Sequence, residues 1–238
     1  MKATGRPLTI EPGMNGGVEI IGWNKDSIAV TARIQVNARS REDADAIARD
    51  IKIEASGGTV RATGGSGPFG RRQNWSVSFL VMVPRRTDLT LSTQNGPLSV
   101  QDVAGRMDLQ TQNGPLSLSG VGGDVHASAQ NGPLTIELLG TRWEGVGLDA
   151  ETQNGPADLQ IPDNYNAKIE FGTARDGRAS VRVFDIRGRL VATVVDRKLP
   201  TGNHEFDFDA GHLSSGVYLM VLQAEGRPRE VRRISILK

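Results

Sequence analysis

The chain predicts an all-β fold: a β-solenoid of stacked 18-residue coils behind an N-terminal β cap containing one short helix, then a C-terminal β-sandwich. Three observations predict it. One phrase recurs four times, the apolar residues fall into columns at the spacing of that phrase, and beyond residue 166 the spacing gives way to a different alternation. The boundaries that follow are 1–166 for the solenoid domain, with a cap over 1–86 and coils over 87–162, and 167–238 for the sandwich.

The phrase is Thr93-Gln-Asn-Gly-Pro-Leu98, repeated as Thr111-Gln-Asn-Gly-Pro-Leu116, Ala129-Gln-Asn-Gly-Pro-Leu134 and Thr152-Gln-Asn-Gly-Pro-Ala157. Gln94, Gln112, Gln130 and Gln153 stand 18, 18 and 23 residues apart. That is too short for a pair of helices and right for one solenoid turn. The last coil therefore carries a five-residue insertion. At this spacing the apolar residues align as Leu98/Leu116/Leu134/Ala157, Val100/Leu118/Ile136/Leu159, Val103/Val121/Leu139, Leu89/Met107/Val125/Leu148 and Leu91/Leu109/Ala127/Ala150. Residues two apart on a strand share a face, so these columns point inward, and Ser99/Ser117/Thr135/Asp158 between them faces water. Each Asn-Gly-Pro reads as a corner, since Asn and Gly tolerate positive φ and Pro lacks the N–H a ladder needs. The stacked Asn side chains are expected to bond from coil to coil.

Before the coils, residues 8–36 read as strands with a turn at Trp23-Asn-Lys-Asp-Ser27, and Asn15-Gly-Gly-Val18 echoes the later corners as a degenerate first copy. Ser40 followed by Asp43 starts a helix over about 41–50, with Ala44, Ile47, Ala48 and Ile51 on the face that packs against the cap sheet. Strands near 51–55 and 59–63 join through Ser56-Gly-Gly58, and Trp75 to Val83 is a longer strand. Gly65-Ser-Gly-Pro-Phe-Gly70 spells three glycines of a dinucleotide loop, but a strand and not a helix follows it, so it reads as a hairpin. Asn74-Trp-Ser76 reads as strand sequence, and as a glycosylation sequon only in a host that glycosylates there.

After residue 167, Ala179 to Val191 folds back at Ile186-Arg-Gly-Arg189, a turn sits at Pro200-Thr-Gly-Asn203, and Phe206 to Asp209, Leu213 to Leu219 and Val231 to Leu237 complete the strands.

Twenty-eight Lys and Arg balance 27 Asp and Glu, so no global field draws the chain to nucleic acid or to an anionic membrane. The basic pairs Arg71-Arg72, Arg85-Arg86 and Arg232-Arg233 read as strand ends. The absence of Cys excludes disulfides, thiol catalysis and cysteine metal sites. No apolar run reaches the eighteen or so residues of a membrane span. The opening Met1-Lys-Ala-Thr-Gly-Arg-Pro7 lacks the apolar stretch of a secretory signal, which leaves a protein that stays inside or a chain that starts after its signal.

The candidate site is one outward row. The register places His126 beside Asp108 and, across the insertion, Asp149, with Gln110, Ser128 and Glu151 next to them. Strands lie about 4.8 Å apart, so a carboxylate–imidazole–carboxylate row is a candidate surface patch for a divalent ion or sugar hydroxyls. Its plainer reading is a ladder of alternating surface charge. His204 and His212 read as structural, and Asp207-Phe-Asp209 as strand alternation without the further oxygens of a calcium loop. No catalytic residue, metal site or cofactor is expected, and the protein reads as non-enzymatic.

Two resemblances refine this. The Gly22-Trp23-Asn24 turn, the Val83-Pro84 strand end and the Asn-Gly-Pro coils resemble the bacterial adhesin β-solenoid family over about 8–165. From 167, the Asp185-Ile-Arg-Gly-Arg189 and Gly216-Val-Tyr218 elements resemble the C-terminal sorting domain of type IX secretion, and also the Ig-like domain of flagellar hook-assembly proteins. The first implies an envelope or surface location and supplies no catalytic residues. The second implies an Ig-like sandwich whose closing strand, with Arg232-Arg233 and the apolar run to Leu237, is read by the secretion machinery. Together they imply an extracellular or cell-surface adhesin-like protein that binds a glycan or a cell-surface protein. The Asn-Pro-Phe-type opening of such sorting domains is missing here, since Asn164 to Phe171 runs straight on from the coils. The rival readings are a β-helix enzyme acting on polysaccharide, which needs paired carboxylates in a groove, and an envelope stress or scaffold protein.

Overall fold

The computed structural model describes residues 5–13, 15–64, 74–162, 165–173, 176–225 and 230–237; the Gly65 to Gly70 hairpin and the Arg71-Arg72 pair lie outside them. The fold is all-β, with one helix among the described residues. The chain divides into two compact units, residues 1–134 with 144–156, and residues 135–143 with 157–238.

The first unit begins with β1 (Leu8–Glu11), β2 (Val18–Trp23), β3 (Ala29–Asn37), α1 (Arg41–Asp50), β4 (Lys52–Ser56), β5 (Thr59–Thr63) and β6 (Asn74–Pro84). It continues through β7 (Leu89–Thr93), β8 (Leu98–Gln101), β9 (Ala104–Thr111), β10 (Leu116–Ser119), β11 (Gly122–Ala129) and β12 (Leu134–Glu137), which runs out of it, to β13 (Gly147–Thr152). One sheet has the order β13-β11-β9-β7-β1-β5-β4, and β10-β8-β2-β6-β3 follow one another in the other. Successive coils pair in parallel at the spacing of the phrase: Leu89 with Met107, Met107 with Val125, Val125 with Leu148, and likewise Leu98 with Leu116. Leu98, Leu116 and Leu134 are all buried. Leu139 is an exception. The alternation of Leu134 and Ile136 runs on to Leu138, which turns inward, and Leu139 stands 50% exposed. The Ser99, Ser117 and Thr135 row is half-buried and not fully in water.

The degenerate copy at Asn15 is a genuine coil. Leu8 pairs with Leu89, Ile10 with Leu91, Val18 with Leu98 and Ile20 with Val100. Beyond it, β5 and β6 make one further coil without the phrase, with Val60 on Ile10 and Phe79 on Val18. There the direction changes: β4 runs antiparallel to β5 and β3 antiparallel to β6, which terminates the parallel stack. Helix α1 packs against β3, burying Ile47. Its start is fixed as the sequence implies, with Ser40 Oγ accepting from the Asp43 N–H at 3.0 Å, acids in the first turn and Arg49 in the last.

The corners correct one physical expectation. Gly96, Gly114, Gly132 and Gly155 and the Asn before each keep ordinary φ values. Glycine is needed there because the coils nearly touch: a Cβ on Gly114 would lie 2.6 Å from the carbonyl carbon of Gly96, and one on Gly132 equally close to that of Gly114. Backbone bonds cross each corner, Asn113 N–H to Gln94 O at 2.8 Å and Leu98 N–H to Pro115 O at 2.9 Å. The phrase's Thr contributes too. Thr93 and Thr111 are buried, and Thr111 and Thr152 donate to the carbonyls of Gly96 and Gly132.

The expected asparagine ladder is present over five coils. Asn154 donates to Asn131, Asn131 to Asn113, Asn113 to Asn95 and Asn95 to Asn15, at 2.9, 2.8, 2.8 and 3.1 Å. Each inner Asn gives and takes one amide bond, all in one direction, so the bonds polarise one another. Because the side chains are exposed, Asn113→Ala is expected to cost about 1–2 kcal/mol, the loss of two ordinary hydrogen bonds. Urea unfolding reads this out, and a change near zero means that water replaces the ladder without loss.

The second unit contains β14 (Ala157–Pro162), β15 (Asn166–Thr173), β16 (Gly177–Asp185), β17 (Leu190–Leu199), β18 (Gly202–Asp209), β19 (Gly216–Ala224) and β20 (Glu230–Leu237). Its larger sheet runs β17-β16-β19-β20-β14, and β15 pairs with β18 separately. Ala179, Val181, Val195, Leu199 and Ala224 are buried between them, with Ile169 of β15 and Phe206 of β18 packed on. The hairpin at Asp185 forms as expected. Gly188 takes φ +80, and the Asp185 carboxylate accepts from the N–H groups of Arg187 and Arg189, which holds it below the usual carboxylate range, Arg189 contributing most. That is why this turn requires Asp, Gly and Arg at those places.

Candidate functional site

Strands β9, β11 and β13 bring the candidate row together: His126 stands directly between Asp108 and Asp149. The side-chain contacts are looser than the register. His126 Nδ1 is 3.8 Å from Asp149 Oδ2, while Asp108 accepts instead from Gln110 Nε2 at 3.1 Å. The nearest carboxylate to the imidazole is one the sequence reading missed, Asp124, whose Oδ1 lies 3.4 Å from His126 Nε2. The signal was available, because residues two apart on β11 share a face. Asp124 also meets Arg106 at 3.3 Å, and Ser128 donates to Glu151 at 3.2 Å.

The site is an open wall, not a cleft. The His126 side chain is 60% exposed and that of Asp149 83%, so each pair is solvated and individually weak. Among the described residues, no group of three His, Cys, Asp or Glu is placed to hold a metal ion. A groove of about 620 Å³ lies elsewhere on this unit, lined by Arg6, Asp26, Arg86, Asp88 and Glu144 among others. Its mixed charges select no single class of ligand. What the row offers chemically is a flat lattice of hydroxyl, amide, imidazole and carboxylate groups at strand spacing.

His204 closes a turn in the second unit, with Nε2 2.8 Å from Pro200 O and 3.2 Å from Thr173 Oγ1. Asp209 accepts from the Gly211 N–H at 2.8 Å, a turn bond rather than a cation ligand.

The tail's terminal strand is an inner one. β20 lies between β19, antiparallel, and β14, parallel, with Ile234 on Leu159, Ile236 on Ile161 and Arg233 on Asp158. Ile234 and Ile236 are buried. Arg233 and Asp158 form an ion pair, and the hydrogen bond to Asp158 raises the guanidinium above its ordinary range. In the Arg232-Arg233 pair, Arg233 is thus engaged on a neighbouring strand.

Residues 161–237 match the Secretion system C-terminal sorting domain family. The match begins within β14, so the matched stretch spans β15 to β20 and takes in the end of the strand on which β20 is seated. The match fits a secreted or cell-surface protein whose tail interacts with the secretion machinery. No curated protein matches the chain. Among the described residues, no helix is long and apolar enough to cross a membrane.

Acid should loosen this tail in a defined window. Arg178, chiefly, and then Arg182 bond to Asp196 and hold its carboxyl at about 2. A depressed carboxylate stabilises the fold above its unfolded pKa, about 3.9, and this contribution fades as pH falls through the folded value. Stability is therefore expected to drop between about pH 4 and pH 2. Asp196→Asn should lower the neutral-pH melting temperature and flatten that drop, as read by thermal unfolding across pH.

Proposed function

We propose that this is a non-enzymatic, adhesin-like protein, exported through its sorting tail to the cell surface or the medium, where its coil stack acts as a rigid binding wall for a glycan or a cell-surface protein. The observation that carries the reading is the sorting-domain match over 161–237, on a chain whose other unit presents polar rows in strand register. The composition of those rows supports binding over catalysis. Their carboxylates face Arg106, His126, Gln110 and Ser128, whereas glycoside hydrolysis works through two carboxylates set across one bond.

Two measurements test it. Produced behind an added export signal in a bacterium that has the secretion system, the chain should reach the surface or the medium, and the same fusion lacking 230–237 should remain in the cell. The purified full chain should then bind whole cells or immobilised polysaccharides and release no new reducing ends or unsaturated products from acidic and neutral polysaccharides. Product formation would replace this reading with that of a polysaccharide-acting enzyme. His126→Ala with Asp149→Asn should weaken glycan binding if the row is the contact surface.

A further inference from the structure

The parallel stack is closed at one end by the antiparallel strands β3 and β4, but its seven-stranded sheet ends at the other on β13, which among the described residues is paired with a strand on one side only. The inner columns register the difference. Met107 and Leu109 of β9 and Val125 and Ala127 of β11 are buried, while Leu148 and Ala150 of β13, next in the same columns, are only half-buried. In a parallel sheet, roughly half of an edge strand's N–H and C=O groups point away from its neighbour, and such a row is a template for another strand. Edges of this kind are usually blunted by Lys, Pro or a bulge. β13, Gly-Leu-Asp-Ala-Glu-Thr, contains none of the first two and pairs with β11 without a register shift.

We propose that the β13 edge is a docking site for an extended segment of a partner protein that alternates apolar with basic residues and adds to the sheet as a further strand. Apolar side chains of the segment cover Leu148 and Ala150. Lys or Arg side chains meet Asp149 and Glu151, which point outward between them. The charge around the edge selects for this partner: on β9, β11 and β13, the acidic Asp108, Asp124, Asp149 and Glu151 outnumber the basic Arg106 and His126. Opposite charges directly across paired strands are favourable and like charges unfavourable. The second unit already uses the same rule where β20 adds to β14, with Ile234 on Leu159, Ile236 on Ile161 and Arg233 on Asp158. Main-chain bonds supply the affinity of such strand addition and the alternating side chains its specificity.

This inference deepens the binding role proposed above by naming the partner's chemistry, and its test separates the two. The full chain is titrated with fluorescent seven-residue peptides: one alternating Val with Arg and Lys, one alternating Val with Glu, and the basic one N-methylated at alternate residues. The basic peptide is expected to bind about tenfold more tightly than the acidic one, and N-methylation should abolish binding, because it removes the main-chain donors. The double variant Asp149→Lys, Glu151→Lys should invert the preference. A milder variant, Asp149→Asn with Glu151→Gln, should weaken basic-peptide binding without reversing it, and serves if the first variant does not fold. Equal binding of the N-methylated and unmodified basic peptides, or no difference between basic and acidic peptides, overturns the proposal. So does concentration-dependent self-association that the charge reversal abolishes, which assigns the edge to a second copy of the chain. Whole-cell binding that survives the charge reversal together with unchanged peptide binding removes this proposal and leaves the adhesin-like reading in place.

Discussion

Gly114→Ala should destabilise the first unit by about 3 kcal/mol or more, well beyond the average point substitution. The added methyl would lie 2.6 Å from the carbonyl carbon of Gly96, a separation that no rotamer change relieves because both partners are backbone. The coils must part at that corner. Parting them stretches the bond from Asn113 N–H to Gln94 O and the one from Asn113 to Asn95 in the ladder, and it opens the packing of Leu98 on Leu116 behind them. Overpacking of a well-fitted site alone costs about 1–3 kcal/mol, and here hydrogen bonds are lost as well. The matched control is Gly147→Ala, where a Cβ meets nothing within 4 Å and the change should stay within about 0.5 kcal/mol of the parent. Urea midpoints at constant slope compare the two. Similar midpoints for both variants are incompatible with corners packed this closely.

Where a strict period exists, the sequence is sufficient. A spacing of 18 combined with strand alternation leaves one assignment of inward residues, and Leu98, Leu116, Met107 and Val125 take it. The cap of α1 and the Asp185 hairpin were legible for a different reason, since each is decided by bonds within five residues. Two features escaped because their determinants lie far apart in sequence. The coil made by β5 and β6 has no Asn-Gly-Pro phrase and touches β1 and β2 only through long-range pairing. The partner of Arg233, Asp158, is 75 residues away. The role of the corner glycines was misassigned because local turn chemistry and the close approach of a neighbouring coil both demand glycine, and only coordinates tell them apart. In the candidate site the register was legible, as His126 between Asp108 and Asp149 shows. The nearest contact was not, because side-chain reach along one strand brought Asp124 closer than either cross-strand partner.

The position of a truncation along the stack should decide its size. Leu116 is fully buried and pairs with Leu98 on the coil before it, and Leu134, the next in its column, is buried as well. Leu116→Ala therefore strips contacts from the interior of the stack, where neighbours held in a parallel ladder have little room to collapse. A cost of about 3–5 kcal/mol is expected, the range for fully buried leucines whose surroundings cannot relax. Leu148 occupies an equivalent inward position in the other sheet, but on the edge strand β13, half-buried and, among the described residues, paired with Val125 alone. Leu148→Ala should cost about 1–2 kcal/mol, because less apolar area returns to water and only one coil interface is affected. In a structure whose stability sums nearest-neighbour interfaces, the inner truncation should also raise hydrogen exchange in β10 and its ladder partner β8 together, while the outer one frays β13 alone. Equal costs for the two variants, or exchange that rises uniformly across the unit after Leu148→Ala, would mean that the coils do not hold one another neighbour by neighbour.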